Sequence, residues 1–285
     1  MVWWEGDTLT TPSNTKYVTG TNSGLYIFQD WTTYLPKTTD LFYANGTISF
    51  SQVNQGGLGD CYFMAASAAI GEWPSLVKSV FLTQNKNTAG IFALKVFIRG
   101  KPYVISIDDN IMFSNGDPVF AALSDDKTSA WGIVAEKVYA KVLGNYLKAD
   151  GGYLDTALRF LTGAPQFSYT LSSSSDLSVT FALINAADVA NYIMAAATGP
   201  GTDSTYNVCG IANGHAYSIL SAFTMTDSTG TAIKAYMIRN PWGVDNGYNQ
   251  TWKATDTKWT DALAAQVPLG IDPRKVQSPD GVFIV

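Results

Sequence analysis

Histidine occurs once and cysteine twice in these 285 residues, and that scarcity removes whole classes of chemistry. Two cysteines far apart, Cys61 and Cys209, and the single His215 do not make up the soft ligand set of a zinc site, so no metal centre of that kind is expected. A disulfide scaffold drops out with it. Charge is scarce too, at 14% of residues against about 25% in average soluble chains. The 23 acidic and 18 basic side chains, net −5, are scattered without a run of like sign. No basic stripe is present to neutralise phosphates, and nucleic acid is not an expected partner. Long apolar runs are missing: no segment approaches the ~18 continuous apolar residues of a membrane span. The opening MVWWEGDTLTTPSN has neither the basic nor the apolar region of a leader peptide. The expectation is a soluble, cytoplasmic monomer with no integral membrane segment.

What the chain does have is apolar mass, 46% hydrophobic and 13% aromatic, enough for a sizeable core and too much for global disorder. Its length suits one large domain or two subdomains. Residues 1–50 read as a loop-rich wrap, with brief alternation only at Leu25 to Phe28. From Cys61 a nearly all-apolar run with four alanines, ended by Gly71, predicts a buried helix. Trp73-Pro74 opens a second helical stretch through Phe81. Ile91 to Ile98 and Tyr103 to Ile107 read as a hairpin around Arg99-Gly100-Lys101-Pro102. Trp131, Val134, Ala135, Val138 and Val142 recur at helical spacing, which points Lys137 and Lys141 outward. Leu154 to Leu161 reads as one more short helix.

After Gly163-Ala164-Pro165 the composition turns toward Ser and Thr. The pattern predicts a strand over Phe167 to Leu171, a long helix over Val179 to Ala197, and strands over His215 to Ala222, Ala235 to Arg239 and Val282 to Val285. The predicted division is an N-terminal segment plus helix-rich, cysteine-bearing subdomain over residues 1–163 and a β-rich, histidine-bearing subdomain over residues 164–285. Asp7, Asp108-Asp109 and Asp125-Asp126 read as solvated turns or caps.

Cys61 stands at the start of its predicted helix, after Gln55-Gly56-Gly57-Leu58-Gly59-Asp60. Glycines there let backbone amides approach a ligand, and a helix N-terminus favours thiolate over thiol. A cysteine that merely packs is the competing reading. His215 is the only imidazole, so any intramolecular Cys–His pair must use it, and strand alternation puts it on one face with Tyr217. A lone histidine at a strand start is more commonly structural. Asn240 ends a strand before Pro241-Trp242-Gly243, which by itself is a turn. Its side-chain carbonyl could accept the His215 ring N–H and fix the tautomer, with Trp242 as a shield from water.

QGGLGDCYFMAA, GHAYSIL and IRNPWG resemble, in order, the three signature blocks of the calpain-type papain-like cysteine protease core. Ile107-Asp108-Asp109, Glu136 to Lys141, Gly151-Gly152 and Asp280-Gly281 extend the likeness over residues 40 to 285 or so. The resemblance implies an α+β, papain-like fold of two subdomains, a helical Cys-bearing half and a β-rich His/Asn-bearing half, with the active site in the cleft between them. It implies a cysteine endopeptidase acting on protein or peptide substrates. Carried over residue by residue, Cys61 is the nucleophile, His215 the base and then acid, and Asn240 the orienter. Gln55 and the Cys61 amide form the oxyanion hole, and Gly152, Gly214 and Trp242 line the substrate cleft.

Two departures stand out. Tyr62 follows the nucleophile where the family commonly has tryptophan. The family's two calcium sites look degraded: Gln52 and Ser129 occupy acidic positions, Val282 follows Asp280-Gly281, and only Asp245 remains after Trp242. Calcium needs six to eight oxygens, largely from carboxylates, so no obligatory cofactor is expected and at most one weak calcium ion. The rival readings are another acyl transfer at the same triad, such as deamidation or peptide ligation, and a catalytically silent binding module. Retention of Gln55, Cys61, His215 and Asn240 disfavours the silent module.

Overall fold

Four alanines and no β-branched residue before Ile70 make Cys61–Gly71 a strong helix-forming stretch. In the structure, a computed structural model that describes residues 26–42, 46–124, 126–244, 247–275 and 280–285, it is a helix buried at every position except Cys61. The chain divides into two units, the first ending at Pro165 and the second beginning at Gln166. Both mix helices and sheets, an α+β composition.

A helix that is apolar all round needs cover on every side. Phe63 stacks on Tyr139 of the Trp131–Leu143 helix, centroids 4.3 Å apart and 7° between planes. Phe160 of the Leu154–Thr162 helix meets Tyr139 nearly edge-on at 4.9 Å. A short helix, Pro74–Val80, starts on its proline, whose missing N–H costs nothing at that position. Around these lie two antiparallel sheets: β1 (Tyr26–Asp30), β4 (Asn110–Ser114) and β5 (Asp117–Pro118) in the order β1-β4-β5, and the pair β2 (Ile91–Ile98) and β3 (Lys101–Asp108).

Four expectations are corrected in this unit. Residues 26–30 form a strand, because β4 pairs with them from Tyr26↔Ser114 to Asp30↔Asn110, a partner that local pattern does not reveal; residues 1–25 lie outside the described ones. The hairpin turns on Arg99-Gly100 alone, both at positive φ (51° and 75°), and Lys101 and Pro102 belong to β3. Such a two-residue turn matches the strand twist, and a proline is tolerated in a two-stranded sheet because the missing N–H need not face a partner. Lys137 does not face outward. It is 1% exposed and donates to the Asp108 carboxylate and to the carbonyls of Asp108 and Asn110. The β3–β4 corner covers that side of the helix and presents acceptors, so the side chain is drawn in. Asp108 is therefore an ion-pair partner as well as a turn cap, its Oδ1 accepting the Asn110 N–H at 3.0 Å, and Asp109, 8% exposed, accepts from Thr32, so neither is simply solvated.

The second unit holds a four-stranded antiparallel sheet in the order β6-β7-β8-β9, from β6 (Met194–Ala197), β7 (Ala216–Thr226), β8 (Ala232–Arg239) and β9 (Val282–Ile284). The helix before it spans Leu177–Val189 and is capped by Asp176, whose carboxylate accepts the N–H of Ser178 and Val179. It stops short of the predicted end. Asn191 takes φ 61°, and Met194–Ala197 pairs with Ala216 to Ile219 as a strand, so tertiary pairing overrides the helix propensity of three alanines. Phe167 to Leu171 is not a strand; Phe167, Tyr169 and Leu171 are exposed and pair with nothing in a sheet.

Candidate active site

Cys61 is half-buried at the first position of its helix. Asp60 is the N-cap, its carbonyl accepting the N–H of Phe63 at 2.8 Å and of Met64 at 3.1 Å. The glycines before it are closely packed. A Cβ on Gly56 would sit 1.4 Å from the Phe120 carbonyl oxygen, and one on Gly59 2.3 Å from Asp150 Oδ1. That same carboxylate accepts the Gly59 N–H at 3.1 Å, and the Gly59 carbonyl accepts Gly151 N–H at 2.8 Å. The loop is thereby fastened to residues 149–152. Tyr62 reaches the same segment, its hydroxyl donating to the Ala149 carbonyl at 3.1 Å, and its ring lies so close to Gly152 that a Cβ there would be 2.3 Å from Cζ. Gln55 is buried and donates from Nε2 to the Leu58 carbonyl at 2.6 Å, which leaves its second amide hydrogen.

Sequence reasoning missed a buried carboxyl pair under this turn. Asp60 and Glu136 are both 0% exposed and in hydrogen-bond contact. Burial raises both well above the ordinary carboxylate range, and the charge of Asp60 raises Glu136 further. Nothing in the spacing of Asp60 and Glu136 signals that they meet; only the near-absence of polar residues around Glu136 hints at burial.

In the second unit His215 directly precedes β7. Its main chain is clamped by Thr198, whose N–H donates to the His215 carbonyl at 2.9 Å and whose Oγ accepts the His215 N–H at 3.0 Å. No sequence signal marks Thr198. Gly214, at φ 53°, passes so close to Gly201 that a Cβ would lie 2.3 Å from its carbonyl oxygen. The His215 ring is packed against Trp242 (centroids 4.2 Å) and Tyr217 (4.9 Å, edge-on). Its Nε2 lies 2.9 Å from Asn240 Oδ1, and that Asn240 atom also accepts the obligate donor N–H of Trp242 at 3.1 Å. The atom is therefore the amide oxygen, so Nε2 carries the hydrogen and Nδ1 keeps its lone pair. Among the described residues Nδ1, though buried, meets no protein hydrogen-bond partner. Burial lowers the imidazole below its ordinary value, against the opposing pull of Asn240 and Asp203. His215, Asn240 and Trp242 are thus brought together within one unit, as Cys61, Tyr62, Gln55 and Gly152 are grouped within the other.

A family model described as "Calpain family cysteine protease" matches residues 30–281. The chain belongs to that family. Calpain-type cysteine protease DEK1 of Zea mays is 31% identical over 249 residues, 84% of this chain and 11% of that protein. Calpain clp-4 of Caenorhabditis elegans is 31% identical over 217 residues, 73% of this chain and 29% of that protein. Calpain-A of Drosophila melanogaster is 30% identical over 226 residues, 76% and 27%. The chain spans only 11% to 29% of the length of these relatives. No helix among the described residues is long and apolar enough to cross a membrane.

The calcium ions implied by resemblance to calpains find a poor donor set. Gln52, 1% exposed, gives Oε1 to the Trp131 indole N–H (2.8 Å) and the Ser49 N–H (3.0 Å), and Nε2 to the Thr47 carbonyl (3.1 Å). Ser129 donates its hydroxyl to the Leu41 carbonyl at 3.0 Å. Both side chains are neutral and committed to the protein's own groups. In the second unit Asp280 Oδ1 accepts the Val282 N–H at 2.9 Å, and Asp245 lies outside the described residues. A hard divalent ion takes most of its charge compensation from carboxylates, and Gln52 and Ser129 do not fit one.

Proposed function

We propose that this chain is a cysteine endopeptidase whose reaction runs through Cys61, His215 and Asn240. The observation that carries the reading is the His215–Asn240 bond: an imidazole held at Nε2, with its basic Nδ1 unspent, is the state a general base needs. Cys61 at a helix N-terminus suits a nucleophile, since the helix end favours negative charge on sulfur.

In the proposed cycle the Cys61 thiol gives its proton to His215 Nδ1 and the sulfur attacks the scissile carbonyl. The resulting oxyanion takes hydrogen bonds from the Cys61 main-chain N–H and the second amide hydrogen of Gln55. The tetrahedral adduct collapses as the imidazolium protonates the leaving amine, and a thioester remains. Water, deprotonated by His215, then hydrolyses it. Asn240 holds the ring through both halves of the cycle, and Gly152, Gly214 and Trp242 border the extended substrate backbone. The reading carries with it the papain-like arrangement, and it requires sulfur and imidazole to come within proton-transfer reach. Given the donor set at Gln52 and Ser129, no step is routed through calcium. A reducing cytoplasm is the compartment that suits a working thiol.

The test is cleavage of a casein substrate by the parent chain and by Cys61→Ala, with circular dichroism to verify folding. Loss of cleavage with an unchanged spectrum supports the assignment, and parental cleavage by Cys61→Ala rejects it. Mass spectrometry of the products separates the rivals: chain scission marks a peptidase, a gain of one mass unit without scission a deamidase.

A further inference from the structure

The carboxyls of Asp60 and Glu136 face each other with 0% exposure. Ionised carboxylates only accept hydrogen bonds, and like charges in contact oppose one another. Among the described residues no other residue's N–H or O–H reaches either oxygen of Asp60, on which only its own main-chain N–H bears, and Glu136 receives the Ala121 N–H at 3.0 Å on Oε2 with no donor on Oε1. The neighbouring cation, Lys137, is spent on Asp108 and Asn110. The titratable groups bearing on the pair are Tyr62 from the Cys61 helix, Tyr139 from the Trp131–Leu143 helix, Tyr146 from the following 3-10 turn, and Asp150 beyond it. None of these is a cation. Contact between two acceptors, with no donor between them, closes only when one carries a proton.

The place of the pair gives it a consequence. An N-cap aspartate ordinarily turns inward to accept helix N–H groups. The Asp60 side chain makes no such cap and is committed to Glu136 instead, so this contact ties the first turn of the Cys61 helix to the Trp131–Leu143 helix.

We propose that Asp60 and Glu136 share one proton, and that this carboxyl–carboxylate hydrogen bond is the positioning device for the Cys61 sulfur and main-chain N–H. Its functional meaning rests on Cys61 being the nucleophile; the shared proton itself does not. With one proton the pair places a single negative charge beside the sulfur in place of two, which opposes a thiolate less. The sign with pH follows. A carboxyl titrating above its ordinary range holds its proton at low pH and loses it as pH rises; burial pushes Asp60 up to about 7 and Glu136 upward as well, so the bond is kept on the acid side and breaks as pH rises.

The experiment uses the full chain with Cys209→Ser, so that iodoacetamide reports Cys61 alone. Its alkylation rate, and peptide hydrolysis beside it, are followed against pH for the parent, Glu136→Gln and Glu136→Ala. A glutamine amide donates to the Asp60 carboxylate without titrating. The expected result is that Glu136→Gln matches the parent at low pH and overtakes it as pH rises. Glu136→Ala falls by about 10²-fold in hydrolysis, the scale of a small misplacement of reacting groups. A Glu136→Gln to parent ratio that does not change with pH overturns the proposal, as does a Glu136→Gln protein that is unfolded or as impaired as Glu136→Ala. Infrared difference spectra add a readout independent of catalysis: the parent must show a protonated carboxyl stretch above the carboxylate range that Glu136→Gln lacks, and its absence rejects the shared proton. If that band is present but no peptide is cleaved, the endopeptidase reading fails and the pair stands. If peptide is cleaved without the band, the pair fails alone.

Discussion

Asn240 Oδ1 receives two hydrogen bonds, from His215 Nε2 at 2.9 Å and from the Trp242 main chain at 3.1 Å. The second bond fixes which end of the amide faces the ring, and so fixes the imidazole tautomer. Asn240→Ala removes the hold and leaves the basic nitrogen unassigned. The expected outcome is a fall of about 10²-fold in kcat with a smaller change in KM, at the lower end of what positioned proton transfer contributes. Asn240→Asp keeps an acceptor for Trp242 but sets a carboxylate on the imidazole, so the charged ring is favoured and the acid limb of the pH–rate profile moves to higher pH. Steady-state kinetics of both variants across pH check this.

Burial of His215 depresses its titration in the folded chain, and the consequence for stability has a definite sign. Between the lowered folded value and the ordinary value near 6.5 the unfolded chain binds the extra proton. The contribution is therefore complete above pH ~6.5 and is lost as pH falls through the folded value. Its slope cannot exceed one proton, about 1.4 kcal/mol per pH unit. Urea titrations of the parent and His215→Gln should diverge on acidification, the parent losing more stability; parallel curves would show that the ring is not held neutral.

The three motif blocks were legible because each puts a distinctive side chain at an element boundary: Cys61 at a helix start, His215 before β7, Asn240 after β8. Periodicity also located the Trp131–Leu143 helix. What was not legible depends on which element covers which. Spacing turned Lys137 outward, yet the β3–β4 corner drew it in; three alanines argued for helix at Met194–Ala197, yet β7 was there to pair with. Glu136 and Asp60 have the same character, since neither charge pattern nor spacing discloses that two acids share one buried site. Nor does the sequence disclose what presses on the glycines before Cys61, where an added Cβ would meet the Phe120 carbonyl at Gly56 and Asp150 at Gly59.

Gly152 offers a separable test of the segment beside Cys61. Its backbone is not in the left-handed region, so alanine there is opposed only by the Tyr62 ring, 2.3 Å from the added carbon. That ring cannot swing freely, because its hydroxyl is bonded to Ala149. Gly152→Ala should cost about 1–3 kcal/mol, as overpacking does. Gly152→Ala combined with Tyr62→Leu, which removes the ring, should recover most of the loss. Thermal denaturation of the parent and the two variants decides it, and equal losses for the single and double variants would show that the ring is not the obstacle.

Gln52 connects the calcium question to folding. Its amide oxygen is the acceptor for the buried Trp131 indole N–H, and its nitrogen satisfies the Thr47 carbonyl. Gln52→Ala strands that indole donor, so a loss of about 1–3 kcal/mol is expected in denaturant titration. Gln52→Glu keeps the acceptor but sets a carboxylate against the Thr47 carbonyl, an acceptor it cannot pair with while ionised. It should be destabilised at neutral pH and recover as acid protonates it, since the burial that opposes its charge raises its titration. An amide already occupied as donor and acceptor has no capacity left for a metal, so chelator should leave peptide hydrolysis by the parent chain at its original rate. Loss of hydrolysis in chelator, restored by added calcium, would mean that an ion is held by groups other than Gln52 and Ser129.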